Sequence, residues 1–86
     1  MTALEAFEKA KAYARGILGN LDYTLEEVEL DTYKGRQVWR ITLGFSKRRP
    51  AAPELMQTIG SALPLEYKTI LVDATTGEPF AMKLAS

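Results

Sequence analysis

The sequence predicts an α+β domain: an N-terminal helix packed in two layers on a four-stranded antiparallel sheet, with a short second helix between two hairpins (α-β-β-α-β-β). Three observations predict it. Apolar residues recur at helical spacing through the first eighteen positions. Two later stretches alternate with a period of two on either side of short, glycine-containing turns. Eighty-six residues suffice for one domain, residues 1–86, with one modest core.

The helix is expected from residue 3 to about 18. Thr2-Ala3-Leu4-Glu5 fits a capping box, in which Thr2 covers a free N–H and Glu5 reaches back. Phe7, Ala10, Ala14, Ile17, Leu18 and Leu21 then fall on one side, with Glu5, Glu8, Lys9 and Arg15 on the other. The alanines allow close approach to a sheet, and Gly19-Asn20 supplies the stop.

The first hairpin is expected over Thr24 to Tyr33 and Arg36 to Ser46, turning at Lys34-Gly35. A two-residue turn makes paired positions sum to 69, so Leu30 faces Trp39, Val28 faces Ile41, and Glu29 falls opposite Arg40. Trp39, between the core positions of its strand, reads as core rather than as a ligand-stacking residue. Lys47-Arg48-Arg49-Pro50 then breaks the pattern. Pro53, Glu54 and the spacing of Leu55, Met56, Ile59 and Leu63 predict a short helix over 53–62, lying over a sheet edge or an open end of the core.

The second hairpin spans Tyr67 to Leu84. A three-residue loop closed by Gly77 is expected to set Glu78 opposite Ala74, Phe80 opposite Val72 and Met82 opposite Ile70, with Phe80 and Met82 both beneath the helix. Apolar residues on both sides of the third strand predict that it is central. On the far side of the sheet the same registers gather Val38, Tyr67, Leu71 and Ala81, an apolar set that either the 53–62 helix or another chain would cover.

Acidic and basic residues balance at eleven each, so no global field steers the chain toward nucleic acid or an anionic membrane. Without cysteine there are no disulfides and no thiolate chemistry; without histidine the commonest general base and transition-metal ligand are missing. No apolar run approaches the roughly 20 residues that span a bilayer. The acidic N-terminus lacks the pattern of a secretory signal, so the expected compartment is the cytoplasm.

The helix, the hairpin carrying Val38-Trp39-Arg40-Ile41, and the stretch Ile70-Leu71-Val72-Asp73-Ala74-Thr75-Thr76-Gly77-Glu78 together resemble the PepSY domain family. The family's closing motif, Val-Asp-Ala-x-Thr-Gly-Glu, is matched position by position over residues 72–78, and the rest of the chain is matched loosely. PepSY domains occur in propeptides of thermolysin-like peptidases and in bacterial membrane-associated or secreted proteins. The resemblance implies a binding or inhibitory module, not an enzyme, with no catalytic residue to carry over.

Four groups of residues are candidate sites. Asp73, Thr75 and Glu78 suggest an oxygen-rich loop, but two carboxylates at this spacing are not a calcium loop, and Asp73 reads as a turn cap. Glu26, Glu27, Glu29 and Asp31 form an acidic run; a carboxylate-based enzyme would need burial to split their pKa values, and a half-buried strand shows the same run on its wet face. Lys47, Arg48 and Arg49 with Lys34, Arg36 and Arg40 beside Tyr33 could make a basic strip for nucleic acid, although such binders carry a larger basic excess. The outer-face set Val38, Tyr67, Leu71 and Ala81 is the expected interaction surface, for a homodimer or an unidentified protein partner. No cofactor, metal or membrane is expected.

Overall fold

The computed structural model describes residues 1–46 and 65–85, so the helix expected over 53–62 lies outside the described residues, as do Lys47, Arg48 and Arg49. Among them are one helix, α1 (Ala3–Leu18), and four strands, β1 (Thr24–Tyr33), β2 (Arg36–Phe45), β3 (Glu66–Asp73) and β4 (Pro79–Leu84). The strands form one open antiparallel sheet in the order β1-β2-β3-β4, with β3 inside it as expected.

α1 begins in the capping box that its sequence predicts. Thr2 N–H donates to Glu5 Oε1 at 2.7 Å and Glu5 N–H to Thr2 Oγ1 at 3.1 Å, so two otherwise orphaned donors are satisfied. Gly19 ends it at φ 104°, outside the helical region, while its N–H still reaches Arg15 O at 3.1 Å. The buried line is narrower than the expected apolar side. Ala6, Ala10 and Ala14, one turn apart, are fully buried, whereas Ile17 is 55% exposed. Three methyl-sized side chains let the helix backbone approach the sheet closely. They share a buried cluster with Ile41, Leu43, Phe45, Ile70 and Val72 from the central strands, flanked by Phe7, Leu18, Leu21, Trp39 and Met82.

Tyr23 joins helix to sheet. Its hydroxyl donates to Gly19 O at 2.7 Å, satisfying a carbonyl at the helix end, and its ring packs on Phe45 with centroids 5.5 Å apart. Burial raises its pKa, because the phenolate would lose hydration.

The first hairpin has the expected parity. Lys34 and Gly35 both adopt positive φ, 51° and 82°, as a two-residue primed turn requires. Leu30 pairs with Trp39, Val28 with Ile41 and Glu29 with Arg40. Towards its start β1 carries a bulge at Glu26, after which Leu25 pairs with Leu43.

The second hairpin differs from expectation, and the difference moves a large side chain. Gly77 N–H donates to Asp73 O at 2.8 Å, and Asp73 N–H to Glu78 O at 2.9 Å. The loop is therefore one residue longer than predicted: Asp73, not Ala74, opposes Glu78, and the Ala74 N–H bonds Gln37 O on β2 at 3.0 Å. Asp73 causes this. Its Oδ1 accepts the N–H groups of Thr75 and Thr76 at 2.8 and 2.9 Å, filling the wider turn. Pro79, rather than Phe80, then stands opposite Val72. A bulge at Phe80 absorbs the extra residue, so Leu71–Ala81 and Ile70–Met82 resume the expected register. Met82 accordingly packs against the core cluster. Phe80 does not lie beneath the helix. Its ring sits 5.9 Å from that of Tyr33 and 4.0 Å from the Arg36 guanidinium, on the face away from Trp39.

Candidate outer-face binding site

The registers arrange the face away from α1 in rows across the sheet. One row runs Glu29–Arg40–Leu71–Ala81, the next Glu27–Thr42–Thr69–Lys83, and a third holds Asp31, Val38 and Asp73. At the hairpin-turn end, Tyr33 and Phe80 come from the two edge strands. Edge strands three spacings of about 4.8 Å apart stand about 14 Å from one another. Rings only 5.9 Å apart must therefore close over the inner strands, where Val38 is fully buried.

The expected interaction residues thus have different surroundings. Val38 and Leu71 are buried, Ala81 is half-buried, and Tyr67 is 43% exposed. Between Tyr67 and Leu71 lies the polar row, whose Thr42 and Thr69 hydroxyls meet at 3.2 Å. Leu71, Thr42, Thr69 and Tyr67 line a hollow of about 630 Å³, with Glu27 and Glu29 along its β1 side and Lys83 and Leu84 along its β4 side.

The acidic run is partly neutralised. Arg40 Nη2 meets Asp31 Oδ2 at 2.6 Å, while its Nε stands 3.9 Å from Glu29 Oε1. Glu26, Glu27 and Glu29 are exposed. Among the described residues, no three or more acidic side chains gather closely enough to hold a metal ion.

The described members of the basic strip are already engaged. Arg36 Nη1 bonds Asp73 Oδ2 at 3.2 Å and stacks on Phe80; Arg40 is held by Asp31. The ammonium groups of Lys34 and Lys83 lie 5.4 and 5.0 Å from the centre of the Tyr33 ring. Their contact lowers the Tyr33 pKa, first through a hydrogen bond from Lys83 and then through the charge of Lys34. Lys83 is a member of this cluster that sequence reading did not include, because a cross-sheet contact between β1 and β4 has no signal in local spacing.

Asp73 does what its turn position suggested. The Thr76 and Thr75 N–H groups hold its carboxyl below the usual range, with Arg36 adding to the effect. Trp39 Nε1 is buried without a hydrogen-bond partner among the described residues. No helix among the described residues is long and apolar enough to cross a membrane. No family model matches the chain, and searches of curated proteins and of solved structures return no match.

Proposed function

We propose that the chain is a small non-enzymatic binding module of PepSY-like type, built as a helix layer on a sheet layer, which docks a second protein chain on its outer sheet face. The observation that carries this is the hollow of about 630 Å³ with an exposed aromatic, Tyr67, beside it and a floor that includes Leu71. Exposed tyrosine over a partly apolar floor is the composition of a protein contact, since its ring contributes area while its hydroxyl stays hydrated. The occupant proposed is a second copy of the chain. Opposite charges on the two sides of the hollow, Glu27 and Glu29 against Lys83, suit a two-fold contact in which each copy presents both signs.

Light scattering across a concentration series tests this. The wild type is expected to approach twice the monomer mass, and Tyr67→Asp to stay monomeric. Tyr67 is the position for this variant because Leu71, being buried, would report unfolding instead. A wild type that stays monomeric throughout, or a Tyr67→Asp variant that dimerises equally, overturns the assignment.

A further inference from the structure

The free edge of β1 carries a second inference; it shares Glu27 and Glu29 with the rim of the outer hollow, but it rests on main-chain groups of β1 that the hollow contact does not use. β1 is ten residues long and ends the sheet, so β2 alone pairs with it among the described residues. Hydrogen-bonded and non-bonded pairs alternate along an antiparallel ladder, and in a two-residue hairpin the pair flanking the turn, here Tyr33–Arg36, is bonded. Glu29 and Asp31 therefore turn their main-chain groups toward β2. Val28, Leu30 and Thr32 turn theirs outward. The Thr32 N–H is satisfied locally by Asp31 Oδ1 at 2.8 Å, which leaves the N–H and C=O groups of Val28 and Leu30, with the Thr32 C=O, as the open stretch among the described residues. Glu26, at the bulge, closes that stretch at its other end.

The side chains beside this stretch differ sharply between faces. α1 lies against β2, β3 and β4, and on that face of β1 Leu25 and Leu30 remain 42% and 49% exposed, with Val28 half-buried between them. On the other face stand Glu27, Glu29 and Asp31. A second copy added antiparallel across this edge would set these carboxylates against their own counterparts, which is destabilising. A strand with the complementary alternation meets no such conflict.

We infer that the β1 edge receives an extended peptide segment whose residues alternate between apolar side chains and lysine or arginine. The segment adds a fifth strand through the main-chain groups of Val28 and Leu30. Its apolar side chains extend the surface of Leu25, Val28 and Leu30, and its cationic side chains meet Glu27 and Glu29. Hydrogen bonds along the backbone supply affinity, and the two-faced pattern supplies selectivity against acidic strands and against a copy of this chain.

The test uses the whole chain and a seven-residue peptide alternating lysine and valine, with two controls. One control replaces lysine by glutamate. The other is N-methylated at the positions that would bond β1, which keeps charge and apolar surface but removes the donors. Trp39, paired with Leu30, reports binding by fluorescence, and amide NMR shifts locate it. The expected result is saturable binding of the lysine–valine peptide, with shifts centred on Val28 and Leu30. Affinity should fall about tenfold or more for the N-methylated peptide and for the Glu27→Lys, Glu29→Lys double variant, measured at a protein concentration where both forms are monomeric; both side chains are exposed, and Glu29 gives up only its 3.9 Å approach to Arg40. No binding up to millimolar peptide at low salt overturns the inference. Equal binding of the N-methylated peptide does so too, since it would mark diffuse charge attraction, as do shifts centred on Tyr67 and the outer hollow.

Discussion

Replacing Ala10 by leucine tests the contact on which the fold rests. Ala10 is fully buried between Ala6 and Ala14, and the row shares its cluster with Ile41 and Ile70. Three additional carbons have no space there unless the helix lifts away. Over-packing of this kind costs about 1–3 kcal/mol. Leucine and alanine differ little in helix propensity, so the change reports packing rather than helix formation. In a domain of this size each kcal/mol moves Tm by roughly 4–8 °C, which gives a fall of about 4–24 °C. Ala12, exposed on the same helix, provides the control, and Ala12→Leu should stay within about 0.5 kcal/mol of the wild type. Urea and thermal unfolding, followed by circular dichroism and by Trp39 fluorescence, measure both variants; an unchanged m-value ensures that stability itself is compared. If Ala10→Leu is as stable as Ala12→Leu, the alanine row does not face the sheet and the reasoning fails.

Three further outcomes follow from single contacts. Tyr23→Phe keeps the ring on Phe45 but removes the donor to Gly19 O, so stability should fall by about 0.5–1.5 kcal/mol; an unchanged urea midpoint would show that this hydrogen bond contributes nothing. The folded pKa of Asp73 lies below its unfolded value, so its contribution is complete above the ordinary aspartate value of about 4 and is lost as pH falls from there through the folded value. Asp73→Asn should remove that part of the acid sensitivity, and identical stability–pH slopes for variant and wild type would refute the assignment. Lys34 is the non-glycine residue at positive φ among the described residues, and Lys34→Asn should recover part of the roughly 1–2 kcal/mol that left-handed backbone costs; a lower Tm would contradict the strain argument.

Much of the architecture was legible because it is local. The capping box needs only Thr2 and Glu5, three residues apart, and both predicted hydrogen bonds are present. The parity of the first hairpin follows from a turn in which Lys34 and Gly35 both take positive φ, and it places Val28, Leu30, Trp39 and Ile41 on one face. Facing did not settle coverage, however. Leu30 is half exposed because α1 lies over the other strands, a matter of helix position that no strand pattern encodes.

The second hairpin shows where local reading ended. The sequence marks Asp73 as a turn cap, but its two bonds to Thr75 and Thr76 also favour a wider loop, which displaces the register by one. A bulge at Phe80 restores the register beyond it, next to Pro79, which has no N–H to give to the ladder. That proline was the available signal. Its consequence reaches across the sheet, because Phe80 meets Tyr33 from the opposite edge.

By itself the sequence determined the helix and four strands of the described residues, their order along the chain, the pairing of the first hairpin from its turn back to Glu27 and the capped ends of the helix, since each depends on residues a few positions apart. Tertiary structure alone decided which apolar side chains are covered: that Val38 and Leu71 are enclosed while Leu25, Leu30 and Tyr67 meet solvent. The physical reason is that burial depends on where non-neighbouring strands and the helix come to rest. One inserted residue in a strand can turn a phenyl ring to the other face without disturbing the pairing on either side.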